Sequence, residues 1–306
     1  APGSTVSPTE RPTERRMSVS VPAPVSRPAT QKAVKAVKAD PGVSTKVAGA
    51  ADKVALLVGI NNAPGSTPLE GSITDVKNMK AALLMYGFKE SNIQVLTEGK
   101  ASRTGILNGL SSLTARSKSN GIAVFLLATH SGSSGGDLTF ATGGGGRISR
   151  HELASHLGRV KGRLFSMLPT CYSKGYALPG VIGKNRIAVF SSSADEYTWQ
   201  MGGAGSWLVY YMVKQAMVNK KAPGSIEKSF AWAKKEINAE LAERAPIISD
   251  GIAGDLVLGK VPSAPKPSAP KSTPKPSAPS PDPTPAPTTS TKPCGGGLLG
   301  LFGGCR

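Results

Sequence analysis

Few residues in this chain are able to do covalent chemistry, and two of them stand in matching surroundings. Val124-Phe-Leu-Leu-Ala-Thr-His130 is an apolar run that ends in a histidine followed by Ser131-Gly132. Leu164-Phe-Ser-Met-Leu168 is a second such run, passing through Pro169-Thr170 into Cys171. Short, continuous apolar runs read as buried strands, and an open parallel sheet gathers its ligands beyond the carboxyl ends of its strands. If the two runs are neighbours, an imidazole and a thiol share one rim. That is the minimum for thiol acyl chemistry, in which a base takes the S–H proton and the thiolate attacks a carbonyl. A cysteine alone would not support this, because most such residues are small buried hydrophobes. The paired histidine carries the reading. His151 and His156 lie about 140° apart around a helix, on different faces, so they are no metal pair. Gly143 to Gly146 lacks the Lys-Ser/Thr of a phosphate-cradling loop and reads as a flexible flap beside the site.

The elements that must position these residues follow from periodicity. Residues 54–60, 93–96, 122–128, 164–168 and 187–190 are rich in Val, Ile, Leu and Phe and read as strands buried on both faces. Between them Ile73, Val76, Met79, Leu83 and Leu84 recur at helical spacing, as do Ile106, Leu107, Leu110 and Leu113. Ser149 and Glu152 have capping-box spacing, and Leu153, Leu157 and Val160 continue the apolar stripe. Residues 207–218 and 226–241 give two further helices, and 255–258 an edge strand. Strand and helix in alternation predict an α/β fold: a mostly parallel sheet of about six strands covered by helices on both faces.

Composition sets the boundaries. Of 7 Phe, 6 Tyr and 3 Trp, all but Phe302 lie in residues 53–259, so that stretch forms the core domain. Residues 1–52, rich in Pro, Ser, Thr, Val and Lys, form a basic arm unable to bury enough to order itself. Residues 260–293 are a Pro-rich linker of extended, polyproline character. Residues 294–306 are a Gly/Leu-rich tip with Cys294 and Cys305, which suits an anchoring partner. Those two thiols are open to a disulfide loop, capture by a partner, lipid attachment or a reduced state. The formal net charge is +18. Basic tails suit an anionic partner held by screened electrostatics, although without interleaved aromatic residues they do not predict stacking on bases. No apolar run approaches the roughly 18 residues of a membrane span. Ala1 fits either Met removal or cleavage of a precursor, which leaves the cytoplasm and secretion both open.

Beyond the two strand ends, Lys53-Val-Ala-Leu-Leu-Val-Gly-Ile-Asn61, Leu69-Glu-Gly-Ser-Ile-Thr-Asp75 and Ala101-Ser-Arg-Thr-Gly-Ile106 resemble the opening of the caspase-like cysteine peptidases, especially the bacterial caspase-homologue and metacaspase branch. The motif at His130, Thr170-Cys-Tyr-Ser173, and Ser191-Ser-Ser-Ala-Asp-Glu196 followed by Gly205-Ser-Trp207 are similar to the family's later landmarks. The resemblance implies limited proteolysis of a protein or peptide substrate. His130 would be the general base and Cys171 the nucleophile that forms a thioester. The oxyanion would be held by backbone N–H groups of Ser131 and Cys171. No cofactor or metal is needed for that chemistry, and calcium, which activates some members through acidic clusters, is left open. Thr129 and Ser131 stand where family members usually have glycine. Pro169 stands where members that cleave after Arg or Lys have aspartate, so a counter-charge for a basic side chain would have to come from Asp195, Glu196 or Asp137. The Gln-Ala-Cys signature of Asp-specific members is absent as well. Lys184 and Arg186 are conceivable self-cleavage sites. The contrasting expectation is a catalytically degenerate scaffold or binding protein tethered through its Pro-rich tail.

Overall fold

The computed structural model describes residues 52–241 and 245–260. The N-terminal arm, the Pro-rich linker and the two-cysteine tip lie outside them. Five parallel strands, β1 (Lys53–Gly59), β2 (Ile93–Thr97), β3 (Ile122–Ala128), β7 (Arg163–Leu168) and β8 (Arg186–Phe190), with antiparallel β9 (Ile247–Asp250) on one edge, form a six-stranded sheet in the order β2-β1-β3-β7-β8-β9. The mixed, mostly parallel α/β sheet is the one the alternation predicted.

Strand side chains alternate between faces, and both faces are dry. Ala55, Leu57, Val124, Leu126, Phe165 and Met167 belong to one core. It is closed by α1 (Ser72–Met85), by α4 (Trp207–Val209) with its π-helical continuation Tyr210–Val218, and by α5 (Ile226–Glu240). Val54, Leu56, Val58, Ala123, Phe125 and Leu127 belong to the other, closed by α2 (Arg103–Arg116) and α3 (Arg150–Gly158). Each Leu or Phe so buried contributes about 1.5–3 kcal/mol, which is why these runs are almost wholly apolar on both faces, Ser166 in β7 being a buried exception. The capping box is present: the Ser149 hydroxyl accepts from the Glu152 N–H at 3.1 Å, and the Glu152 carboxylate accepts from the Ser149 N–H at 3.0 Å.

One expectation is corrected. Residues 255–258 do not form the edge strand; that place belongs to β9. Leu256 and Leu258 bury in alternation and so imitate a strand. Their backbone is instead tied to the start of α5, with the Leu256 N–H donating to the Glu227 carboxylate at 3.0 Å and Ile226 N–H to the Leu256 carbonyl at 2.9 Å. Gly143 to Gly146, read as a flap, form the turn between the second and third strands that follow His130. Those strands, which the sequence reading did not anticipate, are β4 (Ser131–Ser134), β5 (Asp137–Ala141) and β6 (Arg147–Ser149), paired as a three-stranded antiparallel sheet. Gly135 and Gly136, with φ of 60° and 80°, make the two-residue turn that closes β4 onto β5, a conformation that nearly requires glycine.

Both ends of the folded region meet at the amino edge of the sheet. Lys53 opens β1, and its ammonium donates to the Tyr86 carbonyl at 2.9 Å. Gly259 packs against that same carbonyl and the Lys53 ammonium so closely that a Cβ would not fit. The carboxyl edge, with His130 and Cys171, is at the other pole.

Candidate active site

Two neighbouring strands set the site. The last paired residues of β3 and β7 are Leu126 and Met167, and His130 and Cys171 each stand four positions further along. The two chains stay side by side past the strand ends. The Thr170 hydroxyl donates to the Thr129 carbonyl at 2.6 Å, and the Ser131 hydroxyl donates to the Cys171 carbonyl. His130 and Cys171 therefore leave the same rim from adjacent strands.

The imidazole is oriented from a third direction. Nε2 of His130 lies 2.7 Å from the carbonyl oxygen of Thr67, in the loop after β1. A carbonyl only accepts, so Nε2 carries the proton, and in the neutral ring Nδ1 keeps the lone pair. That loop is held in turn: Leu69 N–H donates to the Asn61 carbonyl at 2.8 Å, and the Glu98 carboxylate accepts from the N–H groups of Asn61 and Asn62 at 3.2 and 3.1 Å. Thr67 and Glu98 were not legible as site residues, because a backbone carbonyl has no sequence signature and its support comes from another strand end.

Cys171 is half-buried. Burial pushes its thiol above the ordinary value, partly opposed by the backbone N–H groups of Thr198 and of Cys171 itself. The next residue, Tyr172, is in the left-handed region at φ 54°. Its N–H donates to the Glu196 carbonyl at 2.7 Å, and its ring packs against Tyr197 with centroids 5.2 Å apart. Ser173 exchanges hydrogen bonds with Ser192, so the cysteine turn and the segment after β8 are bound along their length.

Beside Cys171 lies a cavity of about 520 Å³, lined by the β4 residues Ser131 to Ser133, by Leu138, by Tyr172, and by Ala194 and Tyr197. None of the three carboxylates expected to supply a counter-charge is among its lining residues. Asp137 is paired with Arg150 at 2.7 Å and His151 at 3.0 Å, and the His151 hydrogen bond holds its carboxyl below the usual range. Asp195 is exposed and accepts from the Ser193 hydroxyl at 2.6 Å, while Glu196 is half-buried and accepts from the Ser193 N–H at 3.5 Å. Pro169 is buried beneath the cysteine turn. Arg186, considered above as a cut site, is buried, its guanidinium donating to the Val160 carbonyl at 2.6 Å and the Gly162 carbonyl at 3.0 Å. Among the described residues no group of three or more His, Cys, Asp and Glu side chains is arranged to hold a metal ion, and no helix is long and apolar enough to cross a membrane.

The family model described as the caspase domain matches residues 52–155, a span that includes His130 and ends before Cys171. The fold extends the likeness over the rest. Caspase-1 from Spodoptera frugiperda superposes with a TM-score of 0.56 at 14% identity, covering 74% of this chain and 98% of its own. A protein from Geobacter sulfurreducens superposes with a TM-score of 0.54 at 14% identity, covering 70% of this chain and 98% of its own. No curated protein matches the sequence significantly. Residues 52–155 thus match the caspase domain in sequence, and the described residues share the fold of these caspase-like structures.

Proposed function

We propose that the protein is a cysteine endopeptidase that cleaves protein or peptide substrates through Cys171 and His130. The observation that supports the reading is the shared rim. Adjacent parallel strands end in an imidazole and a thiol at equal distance from their last paired residues, and the imidazole is fixed by the Thr67 carbonyl. In this reading Nδ1 of His130 takes the thiol proton and Sγ of Cys171 adds to the substrate carbonyl. Backbone N–H groups of Ser131 and Cys171 would hold the oxyanion. The amine leaves with the proton from His130, and water then hydrolyses the thioester. The test is an intact-mass spectrum and a peptide-library digest of the wild type beside Cys171→Ala. Cleavage by the wild type and none by the variant is expected; equal products from both would overturn the assignment.

A second reading is favoured by the state of the thiol. Burial disfavours its ionised form, and the backbone N–H of Thr198 offsets this only in part. A caspase-fold scaffold that no longer cleaves would look like this. Labelling with a cysteine-reactive peptide electrophile separates the two, since a scaffold leaves Cys171 unlabelled while the protein remains folded.

A further inference from the structure

Resting on the peptidase reading, we propose that the cavity beside Cys171 receives an uncharged substrate side chain, aromatic or large aliphatic, rather than a basic or acidic one. Its volume of about 520 Å³ falls within the roughly 300–1,000 Å³ of small-ligand pockets. Its walls are the Tyr172–Tyr197 ring pair, Leu138, Ala194 and the hydroxyl-bearing strand from Ser131 to Ser133. Nothing on that surface carries a formal charge.

The charges nearby lie outside the lining and are engaged by other groups. Asp137, next to Leu138 in sequence, faces Arg150 and His151. Asp195 and Glu196 are turned to Ser193. Arg147, close to Gly132, donates through Nε to the Thr139 hydroxyl at 2.6 Å and through Nη2 to the Thr139 carbonyl at 3.4 Å. An ammonium, guanidinium or carboxylate entering the cavity would give up part of its hydration against walls that carry no formal charge. An aromatic ring meets two others, in the tilted and offset arrangements such rings prefer, and a polar tip would find the serine hydroxyls. The cavity is also held in shape. Gly175 lies so close to Leu138 that a Cβ there would come within 2.6 Å of its Cδ2, which fixes the leucine against the turn that carries Tyr172.

The experiment uses the full chain and peptides identical except for one residue, Phe, Leu, Arg or Asp, next to the reporter bond. The wild type is expected to cleave the Phe and Leu peptides at least tenfold faster than the Arg and Asp ones. Tyr197→Ala should raise KM for the Phe peptide severalfold, and Leu138→Glu should move preference toward Arg. In parallel, the same peptides are titrated into Cys171→Ala by fluorescence anisotropy, which needs no turnover. Tighter binding of Phe and Leu than of Arg and Asp by this variant upholds the pocket even if the wild type cleaves nothing, an outcome that sinks the peptidase reading alone. Preferential cleavage or binding of Arg or Asp overturns the pocket, as does failure of folded Cys171→Ala to bind any of the four.

Discussion

A half-buried thiol and a fully buried carboxyl give this protein two separate responses to pH. Burial holds Cys171 protonated, so its alkylation by iodoacetamide should keep accelerating as pH rises past 9. A plateau below pH 8, measured by mass spectrometry of the tryptic peptide, would show that His130 already stabilises the thiolate and would contradict the burial argument. Asp75 belongs to a different part of the chain. It is wholly buried beneath the start of α4, and burial raises its carboxyl to about 7, opposed by the Ser206 N–H that donates to it at 2.9 Å. Because the folded state holds the proton more tightly than the unfolded one, the associated stability is complete below about pH 4 and is lost as pH rises through 7. Thermal melts from pH 4 to 8 should therefore fall more steeply for the wild type than for Asp75→Asn. Parallel curves would refute the buried-acid account.

Elements here are positioned by their ends as much as by their cores. The capping box at Ser149 starts α3 directly after β6, so one side chain ends the small sheet and begins the helix that covers the large one. Ser149→Ala removes one acceptor for an orphan N–H and should cost about 1 kcal/mol in urea-melt stability. A loss below the error of the fit would mean that packing of Leu153 and Leu157 alone sets the helix start. The β4–β5 hairpin matters for the site because Ser131 lies on it and Ala141 N–H donates to the His130 carbonyl at 2.9 Å, closing the histidine turn. Ser-Gly-Ser-Ser has little intrinsic preference for a strand, and only pairing with Asp137–Ala141 makes it one.

At the scale of the molecule, both ends of the folded region lie at the pole opposite the candidate site. A protein trimmed to residues 52–260 keeps both apolar cores whole. Its melting temperature should lie within a few degrees of the full chain's, and its affinity for an anionic surface such as heparin should fall, with a shallower dependence on salt. A trimmed protein that failed to fold would show that the tails contribute to the core, against the confinement of all aromatic residues but Phe302 to residues 53–259.

The strands, the helices and the strand-end setting of His130 and Cys171 were legible in the sequence because they rest on local rules: period, buried apolar runs, and the polar residues that interrupt them. The alternation of Leu256 and Leu258 misled because burial alone imitates a strand without saying what the backbone bonds to. That β3 and β7 are neighbours, although a small sheet and α3 lie between them in the chain, was decided by the tertiary crossover. So were the Thr67 carbonyl on the imidazole, the Thr198 N–H on the thiol and the uncharged walls of the cavity. These are backbone atoms and surfaces drawn from distant segments, and residue type does not encode where a carbonyl or a gap will come to rest.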